Sequence, residues 1–205
     1  MTSADSARSA RFLIVGPQGS GKGTQGVLVA AAFDVPQIAT GDIFRANVKG
    51  GTELGKQVQS IIEAGELVPD ELTSALVADR LAQPDAAEGF LLDGYPRNLV
   101  QVMHLDEFLE GFDEALDAVI ELDVPRDESI ARLSRRAAEQ GRSDDTEEVI
   151  ANRLAIYERE TAPILDVYRT RGIVDRIDGV GSLDEITDRI IAALEARGLV
   201  RAAAA

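Results

Sequence analysis

Gly16-Pro17-Gln18-Gly19-Ser20-Gly21-Lys22-Gly23-Thr24-Gln25 comes directly after the apolar run Phe12-Leu13-Ile14-Val15. A loop so poor in side chains leaves its backbone N–H groups free to point inward, and with the start of a following helix they make a pocket for an anion. The stretch fits G-x-x-x-x-G-K, with Lys22 placed to reach the outer phosphates of a polyphosphate, the apolar run as the preceding strand and Val27 to Phe33 as helical context. One letter departs from the pattern: Gly23 stands where Ser or Thr is expected, and Thr24 comes one residue later. The loop alone does not choose between an ATPase, a GTPase and a kinase.

Working outward, the alternation of β and α segments predicts an α/β chain with a parallel sheet wrapped by helices. Strands are expected at Phe12 to Val15, Gln37 to Ala39, Phe90 to Asp93, Val119 to Leu122 and Ile173 to Ile177. Helices are expected at Leu72 to Leu81, Leu99 to Leu109, Asp127 to Glu139, Glu147 to Arg171 and Leu183 to Arg197. The 205 residues suit one domain with a small insertion, for which Thr40 to Glu66, punctuated by Gly50, Gly51, Gly55 and Gly65, is the candidate flap. Residues 1–11 read as a loose arm, and Ala202 to Ala205 as a frayed helix end.

The chain has no cysteine, so neither a disulfide nor a thiolate metal site is possible, which suits a reducing cytoplasm. No stretch approaches the roughly 20 apolar residues of a membrane span, and a soluble, unexported protein is expected. A net charge of −15 argues against nucleic acid, whose phosphate backbone needs a basic face. Yet 18 arginines stand against only 3 lysines, and the planar arginine fork matches phosphate oxygens.

In an open parallel sheet ligands gather at the carboxyl ends of the strands, so the residues just past each strand end decide most. After the third expected strand comes Asp93-Gly94-Tyr95-Pro96-Arg97: an acid at the strand end, a tight turn, then an arginine. Asp93 is placed there to orient Mg²⁺ through its water shell, since Mg²⁺ at phosphates keeps several waters. After the second comes Thr40-Gly41-Asp42-Ile43-Phe44-Arg45, in which Thr40 can cap a short helix and Arg45, paired with Arg97, suggests a second phosphate site. On the helix from Asp127, Arg132, Arg135 and Arg136 share a face at i, i+3, i+4, a clustering that an anion between them would relieve. Arg142 comes after Gly141, Asp145 and Glu148 have capping-box spacing for the next helix, and Arg153 lies on that helix. The glycine and short connection suggest a lid that lowers these arginines over phosphates.

GPQGSGKGTQ, ATGDIFR, GELVPDEL, FLLDGYPRNLVQ and RLSRRAAEQGRSDDTEEVIANRL together resemble the adenylate kinases of the short-lid kind, from about Phe12 to Arg197. The resemblance implies a P-loop NTPase fold: a five-stranded parallel sheet with helices on both faces, a nucleoside-monophosphate-binding segment at 39–68 and a lid at 136–142. It implies transfer of the γ-phosphoryl group of ATP to AMP, giving two ADP, with Mg²⁺ and as a monomer. Gly19, Ser20, Gly21, Lys22, Gly23 and Thr24 would wrap the ATP phosphates, Arg132 would cover the ATP adenine and Gly181 would touch it. Arg45 and Arg97 would hold the AMP phosphate, with Thr40, Glu66, Leu67, Val68, Gly94, Tyr95 and Pro96 around that site and Gln101 reading the adenine edge. Arg136, Arg142 and Arg153 would surround the phosphoryl group in transit. Arg135 receives no role. Five residues separate Arg136 from Arg142 with no Cys or His among them, which leaves out the zinc-bearing lid of some relatives.

An anionic acceptor phosphate needs no general base, so the single histidine, His104, carries no chemical role in this reading. The related UMP/CMP kinases share the loop, the turn and the short lid, but usually carry alanine and asparagine where this chain has Thr40 and Gln101; both letters favour AMP. A nucleotide-binding regulator or a hydrolase switch is the remaining alternative. The second phosphate site and the full arginine set weigh against it.

Overall fold

The computed structural model describes residues 10–140 and 146–202. Five parallel strands, β1 (Ala10–Val15), β2 (Gln37–Ala39), β3 (Gly89–Asp93), β4 (Ala118–Asp123) and β5 (Val174–Asp178), form one sheet in the order β2-β3-β1-β4-β5. From β1 the chain moves past β3 to β2, and from β3 it moves past β1 to β4, so the strand order switches between these two central neighbours. Their register sets Ile14 beside Asp93, which brings the loop after β1 and the turn after β3 to one crevice at the carboxyl edge.

Strands buried on both faces read as continuous apolar runs, and β1 does. Phe12 and Ile14 face a core shared with α1 (Lys22–Ala32) and α9 (Leu183–Ala196). Leu13 and Val15 face the opposite core, with α4 (Asp70–Leu81), α5 (Leu99–Glu110) and α8 (Ile164–Thr170). A third cluster, Phe44, Val58 and Val68 with their partly buried neighbours, belongs to α2 (Thr40–Gly50), α3 (Glu53–Glu63) and the start of α4. There the backbones meet so closely that a Cβ on Gly55 would lie 2.1 Å from the Asn47 carbonyl. Among the described residues no helix is long and apolar enough to cross a membrane.

Several boundaries differ from expectation for local reasons. Ala10 and Arg11, expected in a loose arm, lie inside β1; Arg11 is buried, its N–H donating to Asp117 Oδ2 (2.8 Å) and its guanidinium pairing with Glu114 (2.8 Å). The first helix starts five residues before Val27, at Lys22, with Gly21 as its left-handed N-cap. Thr40 is not a cap but the first helical residue of α2; its hydroxyl donates to the Gly94 carbonyl (3.0 Å), a tertiary partner that outcompetes the local one. The long helix expected over Glu147 to Arg171 is three pieces: α7 (Glu147–Ile156), a π-helical turn over Tyr157–Thr161, and α8 beyond Pro163. The cap of α7 is Thr146, which accepts from the Val149 N–H (3.4 Å), whereas Asp145 lies outside the described residues. Ala202 belongs to no helix, and its N–H donates to the Ala32 carbonyl at the end of α1.

Candidate active site

The loop after β1 turns sharply enough to need its glycines. Gly19 and Gly21 have φ of 83° and 95°, and a Cβ on Gly19 would sit 2.4 Å from the Ser129 carbonyl of α6 (Arg126–Gln140). The first turn of α1 therefore opens straight onto the cavity, where its unpaired N–H groups and dipole favour an anion. Ser20 Oγ and Gln18 Oε1 are buried here with no protein partner, polar capacity that suits a phosphate loop.

Lys22 donates to the carbonyls of Gly16 (2.7 Å) and Pro17 (2.8 Å). Burial pulls its pKa down to about 8; Asp93 opposes the shift, while Arg97, Arg153 and Arg136 add to it. Asp93 ends β3 and feels the reverse: burial pushes its carboxyl up, against the pull of Lys22 and Arg97. A half-buried carboxylate at the mouth of a phosphate loop favours a cation. Among the described residues no group of three or more His, Cys, Asp or Glu could hold a metal ion.

Arg97 is held on three sides. Its N–H donates to Gln101 Oε1 (2.8 Å), its carbonyl accepts from Thr161 Oγ1 (2.8 Å), and its Nε donates to the Gly94 carbonyl (2.7 Å). Burial and the nearby Arg153 lower its pKa to about 10. Gly94, at φ 82°, leaves room for this: a Cβ there would come within 2.9 Å of Thr40 Oγ1 and 3.0 Å of Arg97 Nη2. Arg45 on α2 pairs with Asp42 (2.6 Å) and shares the space with Arg97.

Lys22, Arg45, Arg97, Arg132, Arg136 and Arg153 all line one cavity of about 710 Å³, together with Gly19, Gly21, Gly23, Thr24, Asp93 and Pro96. The protein's acidity is thus outward, while cations gather inward. A chamber of about 50 Å³ continues from it, lined by Thr40, Phe44, Arg45, Glu66, Leu67, Val68, Gly94, Arg97, Gln101 and Arg153. Arg132 is anchored by Glu128 (2.7 Å) and reaches the carbonyls of Ser20 (3.3 Å) and Gly179 (3.0 Å), tying the loop to the β5–α9 connection that carries Gly181.

Three expected site residues, Ser20, Tyr95 and Gly181, line neither space, and neither does Arg135, which received no role. Tyr95 lines neither space; its ring is in the core and its hydroxyl meets Ser74 Oγ (2.9 Å) and the Gln101 carbonyl (3.2 Å). Arg135 is exposed and outside the cavity, because the inward arc of α6 is centred on buried Leu133, with Arg132 and Arg136 beside it. Gly181, at φ 142°, adjoins the cavity without lining it. Arg142 lies outside the described residues. His104, on α5, meets Ser74 Oγ through Nδ1 (2.8 Å) and touches neither space. Thr161 and Asn152 carry no sequence signal that marks them for the site. Asn152 donates to the Ala64 carbonyl (3.1 Å) and Glu66 Oε1 (2.9 Å), so α7 abuts the loop after α3.

A phosphate loop facing a second arginine-lined chamber across one cavity, on a 2-3-1-4-5 parallel sheet, defines a nucleoside monophosphate kinase. Comparison with known proteins narrows the class. The family model for adenylate kinase matches residues 14–173. The chain is similar to the adenylate kinase of Clavibacter michiganensis subsp. michiganensis, 57% identical over 92% of this chain and 94% of that one. It is also similar to those of Leifsonia xyli subsp. xyli (55%; 92% and 95%) and Bifidobacterium longum (56%; 90% and 100%). The chain belongs to the adenylate kinase family.

Proposed function

We propose that the chain catalyses reversible transfer of the γ-phosphoryl group of ATP to AMP, giving two ADP, with the phosphate loop as donor site and the smaller chamber as acceptor site. The observation that carries the reading is the placement of two separate phosphate-binding sets on one cavity, Lys22 with the loop on one side and Arg45 with Arg97 on the other. A hydrolase needs only the first.

The chemistry rests on positioning and charge. Backbone N–H groups from Gly19 to Thr24 and the Lys22 ammonium hold the donor phosphates, and Arg132, which reaches the Ser20 carbonyl of the loop, covers the ATP base. Arg45 and Arg97 hold the acceptor phosphate, with Gln101 at the base. Arg136 and Arg153, and Arg142 with them, balance the charge that spreads over the phosphoryl group between the two. Asp93 would hold Mg²⁺ through its water shell, and the ion would supply positive charge to the donor phosphates. Residues 39–68 form the acceptor segment and residues 136–142 the lid, whose closure excludes water and so suppresses hydrolysis.

The test is nucleoside-diphosphate formation from Mg-ATP with AMP, with CMP, with UMP and with no acceptor. Turnover far faster with AMP than with CMP or UMP, and no ADP without an acceptor, is the expected result. Turnover of CMP or UMP in its place would move the substrate, and acceptor-independent hydrolysis would refute the transfer.

A further inference from the structure

We propose that Asp70, which lines neither space, sets the base specificity of the acceptor chamber by fixing the direction in which the Gln101 amide faces; this rests on reading that chamber as the AMP site. Asp70 opens α4. Its Oδ1 accepts from Gln101 Nε2 at 2.7 Å and from Asn98 Nδ2 at 2.9 Å. Asn98 in turn caps α5, its Oδ1 accepting from the Gln101 N–H at 2.9 Å. The opposite end of the Gln101 amide, Oε1, accepts from the Arg97 N–H at 2.8 Å.

A carboxylate can only accept and a backbone N–H can only donate. The two partners therefore agree on one orientation, because a flipped amide would set oxygen against oxygen at Asp70 and N–H against N–H at Arg97. A primary amide has two N–H groups and two carbonyl lone pairs, and one of each is engaged here. What Gln101 offers the chamber it lines is thus one N–H and one lone pair in a fixed sense.

That sense matches a base edge with a ring acceptor beside an amino donor, as adenine presents with N1 and N6. Hypoxanthine has the same outline with the reverse edge, a ring N–H beside a carbonyl, and meets donor against donor and acceptor against acceptor. Sites built on such pairing reject the mismatched analogue strongly, because their buried groups are left unpaired. Cytosine shares adenine's sense and provides an internal control: an orienting role for Asp70 bears on AMP against IMP, not on AMP against CMP.

The experiment compares kcat/KM for AMP, CMP and IMP in the wild type, Asp70→Ala and Asp70→Asn, with KM for ATP and the melting temperature alongside. In Asp70→Ala the AMP/IMP ratio is expected to fall about tenfold, the worth of roughly one hydrogen bond, with the AMP/CMP ratio and KM for ATP unchanged. Asp70→Asn keeps the shape but can present an N–H to a flipped Gln101, and its ratio should fall about threefold. This second variant decides the matter if the alanine protein does not fold. An unchanged AMP/IMP ratio, or a proportional loss on all three acceptors, overturns the orienting role and leaves Asp70 purely structural. Absence of AMP turnover in the wild type overturns instead the reading of the chamber, and the proposal with it.

Discussion

Replacing Lys22 with methionine should abolish phosphoryl transfer and, near neutral pH, make the ligand-free protein more stable. The Lys22 pKa falls from 10.5 to about 8 in the folded chain, so folding disfavours its protonated form. A difference of about 2.5 units corresponds to about 3 kcal/mol of penalty below pH 8, at about 1.4 kcal/mol per unit. Methionine removes the penalty but strands the Gly16 and Pro17 carbonyls that Lys22 serves, at a cost of about 1 kcal/mol each. The net gain is about 1 to 2 kcal/mol, or a rise in melting temperature of about 2 to 8 °C for a domain of this size.

The sign reverses at high pH. Between about pH 8 and 10.5 the unfolded wild type holds a proton that the folded wild type has released, so wild-type stability rises with pH relative to the mutant. Urea titrations of both proteins at about pH 7, 9 and 10.5 measure this directly. The mutant should be the more stable at the first and the less stable at the last. A mutant less stable at neutral pH, or a pH-independent difference, refutes the account of Lys22 as a cation held in a site that penalises it.

Thr161→Val removes the hydroxyl that holds the Arg97 carbonyl; KM for AMP should rise about fivefold with KM for ATP unchanged, and an equal effect on both would refute the positioning role. Gly55→Ala forces a methyl against the Asn47 backbone, and should cost about 1 to 3 kcal/mol in thermal unfolding and raise KM for AMP; a wild-type melt would contradict the close packing of α2 on α3. Thr40→Ala combined with Gln101→Asn should move preference toward CMP or UMP, and an unchanged AMP/CMP ratio of kcat/KM would remove these two letters as specificity determinants.

The sequence is most readable where function is concentrated in short, contiguous spacing. The loop at Gly16 to Thr24, the turn from Asp93 to Arg97 and the β/α alternation are all legible, with strand ends displaced by a residue or two. Hidden from it is whatever only packing brings together. Thr161 and Asn152 are polar letters within a helical pattern, and nothing local says that one faces Arg97 and the other Ala64. Pro163 does carry a signal, since proline breaks a helical ladder, but apolar periodicity running on to Tyr168 masks it. Arg135 misleads for a simpler reason: i, i+3, i+4 spacing defines an arc, and only the position of Leu133 tells which part of that arc faces inward.

The contrast between a net charge of −15 and a cavity lined, among the described residues, with six cations bears on how fast nucleotides arrive. At a distance a net charge of −15 repels an anion, whereas the cations lining the crevice attract it. Screening over about 8 Å at physiological ionic strength weakens the outer repulsion while acting less on charges within the crevice. Moderate salt should therefore raise the association rate of a nucleotide, opposite to the behaviour of enzymes whose surface field draws their substrate in.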